Sequence, residues 1–293
     1  MNNMKRIINA ILALSLVASL TVSCDLFKLD NQEGPDAQLV GKLIDPAGEQ
    51  IQVEACLVDS RIIFWGIVWG GSIDYKGGVL TVIEDVSDRW EDSFEKQYWF
   101  VRFDGSYTNN MVFAGKYQVN FEKIPVFQDN ATTNIELKKG ENKIDFTLKP
   151  YSYIYDENIS YNDGVITAKF KIKSGDPSKA DFIRKVALFS STSNFVGSFA
   201  NITKVEMTPK QSGFPWAPTY EPLPLDTELT LTIDTKNDTT GEFKYDRDHY
   251  LRIGVVFGDQ AKKINPEDIY NFSPIYKMDR QHNITKYDWA TAK

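Results

Sequence analysis

An alternation of period two runs from Ala37 to near the end of the chain, and it constrains the fold more than any other feature. Leu39, Gly41 and Leu43 alternate with Val40, Lys42 and Ile44, ahead of the turn residues Asp45-Pro46-Ala47-Gly48. Ile144, Phe146 and Leu148 alternate in the same way with Lys143, Asp145, Thr147 and Lys149. Between them lie the runs 79–83, 97–101, 116–121 and 133–137. Gly77-Gly78, Asp104-Gly105, Ala114-Gly115 and Lys139-Gly140 separate them as turn signals. Successive side chains of a strand point to opposite faces, so these runs predict half-buried strands. Many short strands with regular punctuation predict a β-sandwich. Residues 86–98 are ambiguous: Val86, Trp90, Phe94 and Tyr98 recur at helical spacing in a charged run, which fits a short helix or a long loop.

Pro150 marks a boundary. Beyond it Ile166, Ala168, Phe170 and Ile172 oppose Thr167, Lys169 and Lys171, and the theme returns in 229–233 and in Leu251, Ile253, Val255 and Phe257. No long helical pattern appears. The expected fold class is all-β, with two tandem β-sandwich domains at 37–150 and 151–293, the second immunoglobulin-like or fibronectin type III-like.

The N-terminus reads differently. Lys5 and Arg6 precede an apolar run from Ile7 to Val22 that ends on Ser23-Cys24. Charge, apolar run and a small residue at a cleavage point predict a signal peptide at 1–23. The run of about 16 residues is shorter than the roughly 20 of a membrane-spanning helix. A cysteine at that point resembles the bacterial lipobox, which implies a diacylglyceryl group on Cys24 and a polar tether at 24–36. Two or three acyl chains hold a protein firmly where one holds only marginally. The partner predicted here is a membrane, reached through the lipid.

Only Cys24 and Cys56 exist, so lipidation of the first leaves no internal disulfide. Cys56 sits in an apolar run and reads as a buried thiol. About 270 residues remain after the leader, enough for two ordinary domains. The formal charge is -7, and more negative once Lys5 and Arg6 leave. No basic cluster stands out in the sequence, which argues against nucleic acid as a partner. Fourteen tyrosines and six tryptophans read mostly as strand core, and glycan recognition uses the same flat rings.

Four short stretches carry a family likeness. Residues 39–45 resemble the first strand of carboxypeptidase-regulatory-like, or transthyretin-like, domains. Phe103-Asp104-Gly105-Ser106-Tyr107 and Phe113-Ala114-Gly115-Lys116-Tyr117-Gln118-Val119 resemble their later signature, and 139–151 their closing strand. Behind a lipobox and ahead of a second sandwich, this is similar to Bacteroidetes outer-membrane lipoproteins of an uncharacterised family. The resemblance implies a first domain of that type, a cell-surface setting, and association with starch-utilisation-system-like polysaccharide loci. It carries over no catalytic residue.

A search for chemistry finds little. His249 and His282 lack metal-ligand spacing, and no HExxH, phosphate-loop or nucleophile-elbow pattern occurs. Glu84, Asp85, Asp88, Glu91 and Asp92 cluster, but 40 acidic residues make clusters inevitable, and a solvated face is the expected reading. No enzyme, cofactor or metal site is expected. The candidate glycan-binding residues are aromatic: Phe214, Trp216 and Tyr220 in the proline-rich stretch 213–224, and Trp65 and Trp69 in a glycine-flanked run. The prolines predict a loop. Each tryptophan has a second reading as core. Thr239, in Asp238-Thr239-Thr240, resembles a Bacteroidetes O-glycosylation site. The expected function is a non-catalytic surface lipoprotein that binds or presents polysaccharide. The alternative is a structural partner of an outer-membrane transporter that never touches sugar.

Overall fold

The computed structural model describes residues 34–54, 57–58, 75–85, 96–128, 132–214 and 217–289. The signal peptide, Cys24, Cys56, Trp65, Trp69, Trp216 and residues 86–95 of the ambiguous stretch lie outside the described residues. Its last three residues, with Tyr98, begin a strand.

The first half contributes β1 (Ala37–Ile44), β2 (Leu57–Val58), β3 (Tyr75–Lys76), β4 (Val79–Asp85) and β5 (Lys96–Phe100). It continues with β6 (Ser106–Val112), β7 (Gly115–Asn120), β8 (Thr132–Leu137), β9 (Gly140–Lys143) and β10 (Phe146–Thr147). One sheet has β1 antiparallel to β6 and parallel to β9 and then β10. The facing sheet runs β5-β4-β7-β8, antiparallel throughout. Leu39, Leu43, Tyr107 and Phe146 from the first sheet meet Leu80, Val82, Tyr117 and Val119 from the second in one core. The alternation read in 143–149 survives with a break. Ile144 and Asp145 leave the ladder, Phe146 is buried, and Ile144 and Leu148 are half-buried against the core.

The tyrosine motifs explain themselves here. The DGSY turn needs Gly105, at φ 79°, because a Cβ there would lie 2.2 Å from the Ile51 carbonyl oxygen. Asp104 caps the turn by accepting from Ser106 N at 3.0 Å and Ser106 Oγ at 2.7 Å. Tyr107 then reaches over Gly41 of β1 and donates its hydroxyl to the Ile144 carbonyl, pinning the break in the closing strand. Tyr117 donates to the Phe113 carbonyl at 2.8 Å.

The second half contributes β11 (Ser152–Asn162), β12 (Val165–Ser174), β13 (Phe182–Ser191), β14 (Thr203–Met207), β15 (Lys210–Phe214) and β16 (Ala217–Glu221). After these come β17 (Leu229–Asp234), β18 (His249–Gly258), β19 (Tyr270–Phe272), β20 (Tyr276–Met278) and β21 (Ile284–Lys286). A three-stranded sheet, β11-β12-β17, faces the sheet β14-β13-β18-β20-β21, on which β19 also pairs with β18. Ile166, Phe170, Leu231, Val186, Leu251, Ile253 and Val255 fill the space between them. The fold class is all-β, two tandem sandwiches. Among the described residues the one helical turn is the 3-10 turn Glu242–Lys244.

The halves share buried ground. Phe103 of the first packs with Ala187, Phe189, Val196, Phe272 and Ile275 of the second. Arg252, fully buried, donates from Nη2 to the Phe103 carbonyl at 3.1 Å and from Nε to the Ser273 carbonyl at 3.0 Å. Asn271 donates to the Pro125 carbonyl at 2.9 Å, and Glu54 accepts from Ser198 N at 2.7 Å.

Candidate functional site

The stretch expected to be a proline-stiffened loop is a β-hairpin. β15 and β16 pair antiparallel in the register Gln211↔Tyr220, Gly213↔Pro218 and Phe214↔Ala217. Pro218 is tolerated because the hairpin is an isolated two-stranded ribbon, all edge, where a missing N–H need not break a ladder. Residues paired across a ribbon share a face, so Gln211 and Tyr220 sit together on one side. Ser212 and Thr219 occupy the other, their hydroxyls 2.8 Å apart. Positions 214 and 220 therefore fall on opposite faces of the ribbon, and the structure does not unite them.

Tyr220 is 39% exposed and stands on the wall of a groove of about 610 Å³. The start of β13 also lines it, and a β-bulge shapes that stretch. Ile183 pairs with Phe257 and Lys185 with Val256, so Arg184 is an extra residue in the ladder. Ile183 and Val186 both face the core as a result, while Arg184 and Lys185 both line the groove. Strict alternation would have sent one of them inward. Sequence reading missed this pair. The signal was the doubled polar step between Ile183 and Val186, which breaks the period of two.

The groove floor is a tightly held loop, 259–268. Lys262, Asn265 and Asp268 adopt left-handed φ of 57°, 55° and 55°. Asparagine and aspartate tolerate that region, but lysine does so seldom. Asn265 compensates: its buried amide donates to the Phe257 and Ile269 carbonyls at 2.9 and 2.8 Å, and its oxygen accepts from Ile269 N at 2.8 Å. Arg184 Nη1 donates to the Ile264 carbonyl at 3.3 Å, and Nη2 donates to the Asn265 carbonyl. Nη2 also lies 2.9 Å from Asp268 Oδ1, an ion pair too poorly angled to count as a hydrogen bond. Arg184 Nε is buried without a hydrogen-bond partner among the described residues.

A second cleft of about 520 Å³ lies between the sandwiches and holds Tyr153, Tyr155 and Tyr276. Its rings are already engaged. Tyr155 donates to Asp226 at 2.8 Å, and Lys173 Nζ stands 5.0 Å over Tyr153 and 5.6 Å over Tyr155. Burial, and then the Asp45 carboxylate, push the Tyr153 hydroxyl up to about 12. Burial with Glu157 nearby does the same for Tyr276.

His249 is buried inside the second sandwich, stacked on Phe243 with Nδ1 3.3 Å from Glu242 Oε1. The same oxygen accepts from Ser190 Oγ at 2.7 Å. Acid, histidine and serine are thus present, but the carboxylate sits between the other two. The serine–histidine bond of a nucleophilic triad is not formed among the described residues. His282 stacks on Tyr161 at 4.0 Å. Thr239 is exposed in a bend where Asp238 accepts from Thr240 N and Glu242 N.

Fold and groove together define a tandem β-sandwich protein with an exposed ring on a projecting ribbon. No protein-family model matches the chain, and no curated protein matches it in sequence. Among solved structures it is similar to a putative carbohydrate binding protein from Bacteroides uniformis, at 22% identity and a TM-score of 0.60, over 87% of this chain and 100% of that one. A DUF3823 family protein from Parabacteroides merdae is similar at 18% identity and a TM-score of 0.59, covering 84% and 99%. Another, from Bacteroides ovatus, stands at 19% and 0.55, covering 83% and 98%. At these identities the likeness is one of fold.

Proposed function

We propose that this chain is a non-catalytic, lipid-anchored surface protein that binds glycan in the groove beside the β15–β16 hairpin. The observation that carries the reading is Tyr220, exposed beside Gln211 on the wall of a groove large enough for a few sugar rings. A flat ring covers the apolar face of a sugar, and a neighbouring amide serves its hydroxyls as donor and acceptor. The name of the Bacteroides uniformis neighbour supports it. In the Tyr153 cleft, by contrast, Lys173 already stands over two of the three tyrosine rings.

Tyr220→Ala is expected to weaken polysaccharide binding by roughly tenfold, as truncation of an aromatic anchor does. Its melting temperature stays near wild type, because substitutions at exposed sites shift stability within about 0.5 kcal/mol. Calorimetric titration and a thermal melt on the same variant check both. Wild type binding nothing in a broad polysaccharide screen would sink the glycan reading.

The second reading, a structural partner of an outer-membrane transporter, then takes its place. It has its own observation: Phe195, Phe199 and Ile202 are all exposed within one short segment after β13.

The anchor is proposed on the motif at Cys24. Cys24→Ala is expected to move the protein from the membrane to the soluble fraction and to abolish fatty-acid labelling. Label that persists in the variant refutes the assignment.

A further inference from the structure

The groove is cationic on a chain whose formal charge is -7. Arg184, Lys185, Lys210 and Lys262 line it, against one carboxylate, Asp268. That carboxylate is shared: one oxygen lies 2.9 Å from Arg184 and the other 3.2 Å from Lys262. Lys185 reaches Glu206 only at 3.8 Å, and Lys204 competes for the same oxygen at 3.3 Å. Lys210 stands opposite Glu221 in the ribbon but makes no ion pair among the described residues. Two ammonium groups therefore remain with little or no neutralisation in the groove that Tyr220 lines, Lys210 reaching it from the ribbon face opposite that ring.

We propose that this groove takes an acidic polysaccharide, with a uronate carboxylate or a sulfate ester held between Lys185 and Lys210 while Tyr220 covers the sugar ring. The inference rests on the glycan reading above and specifies its ligand. Two features of the groove point the same way. The bulge at Arg184 turns two consecutive basic residues toward the groove. Lysine supplies three donors and no acceptor, so the wall is poor at pairing neutral hydroxyls both ways and well suited to oxyanions.

The test titrates the full-length protein with polygalacturonate, dextran sulfate and dextran, from about 0.1 M to about 1 M salt, where the screening length falls from about 10 Å to about 3 Å. One or both anionic polymers should bind at least tenfold more tightly than dextran, with affinity falling steeply as salt rises. The polygalacturonate and dextran sulfate arms tell carboxylate from sulfate. Lys185→Gln and Lys210→Gln should each weaken the anionic polymer about threefold or more, as loss of an exposed charge contact does. The double variant should weaken it further while melting as wild type does. Dextran bound as tightly as the anionic polymers, and lost in Tyr220→Ala, would remove the acidic ligand and leave the glycan reading standing. Anionic binding that both lysine variants leave unchanged would place the anion elsewhere. Anionic binding lost in the lysine variants but untouched by Tyr220→Ala would reduce the site to bulk charge attraction and overturn the proposal. No binding to any polymer would remove both readings.

Discussion

Arg252→Ala is expected to destabilise the protein by about 3–5 kcal/mol, because it leaves buried acceptors unpaired and opens a cavity. Arg252 is fully buried, and no carboxylate lies within ion-pair distance among the described residues. Its charge is met by carbonyls instead. Nε serves Ser273, Nη2 serves Phe103 of the other sandwich, and Nη1 reaches toward Val196 at 3.5 Å. The guanidinium lies 4.3 Å over the Phe272 ring and 5.2 Å over Phe103. Burial pulls its pKa down to about 9, and the more distant charges of Glu54 and Asp104 hold it up against that. Truncation removes the donors but leaves the acceptors buried, each unmade bond costing about 1–3 kcal/mol. It also opens a cavity where the halves meet. Arg252→Met fills the volume without supplying donors and should fall between alanine and wild type. Chemical denaturation of the three proteins measures this. An alanine variant within about 1 kcal/mol of wild type would show that water replaces the guanidinium.

Gly41→Ala should be comparably severe for a steric reason. A Cβ at Gly41 would lie 1.7 Å from the Ile144 carbonyl oxygen and 2.5 Å from the Tyr107 hydroxyl. That carbonyl is the acceptor for Tyr107, at the point where β9 breaks before β10. The break is held on both sides of the gap. Ile144 N donates to the Val40 carbonyl at 3.0 Å, and Lys42 N donates to Asp145 Oδ1 at 2.9 Å. The closing strand cannot retreat without losing those bonds, so overpacking cannot be relieved cheaply, and about 3 kcal/mol or more is expected. Tyr107→Phe isolates the hydrogen bond from the clash and should cost about 1–3 kcal/mol, since it leaves a buried acceptor unpaired. Thermal melts of both variants check the order. Gly41→Ala melting within a degree or two of wild type would mean that β1 and the closing strand can separate freely.

Both sites show where sequence reading reached and where it stopped. Gly41 stood out only as a small residue in an alternating strand. The partner that makes it necessary, the Ile144 carbonyl, is about a hundred residues away, in the break between two strands parallel to β1. The DGSY motif was legible as a turn followed by a strand, because a left-handed glycine and an aspartate cap are local chemistry. The role of Tyr107 was not legible, because its acceptor is a backbone carbonyl that any residue could supply. Arg252 drew no reading of its own between Leu251 and Ile253, and nothing local announced that the opposite face of β18 would be covered by the first sandwich.

The groove beside the hairpin divides in the same way. Tyr220 was picked out from a run of prolines and aromatics, and it stands exposed on the groove wall. The expectation of a loop failed because proline is excluded from central strands but not from an isolated ribbon. The basic residues were passed over because Arg184, Lys185, Lys210 and Lys262 are scattered over nearly eighty positions, and scattered charge carries no pattern. By itself the sequence determined the main strands of both sandwiches and the turns between them, since period and φ preference belong to neighbouring residues. Only the tertiary structure decided that β15 and β16 form a ribbon, which strands pair in parallel, where the two sandwiches meet, and which charges line the groove with Tyr220. Those depend on contacts between distant segments, and on a bulge whose one extra residue turns two cations the same way.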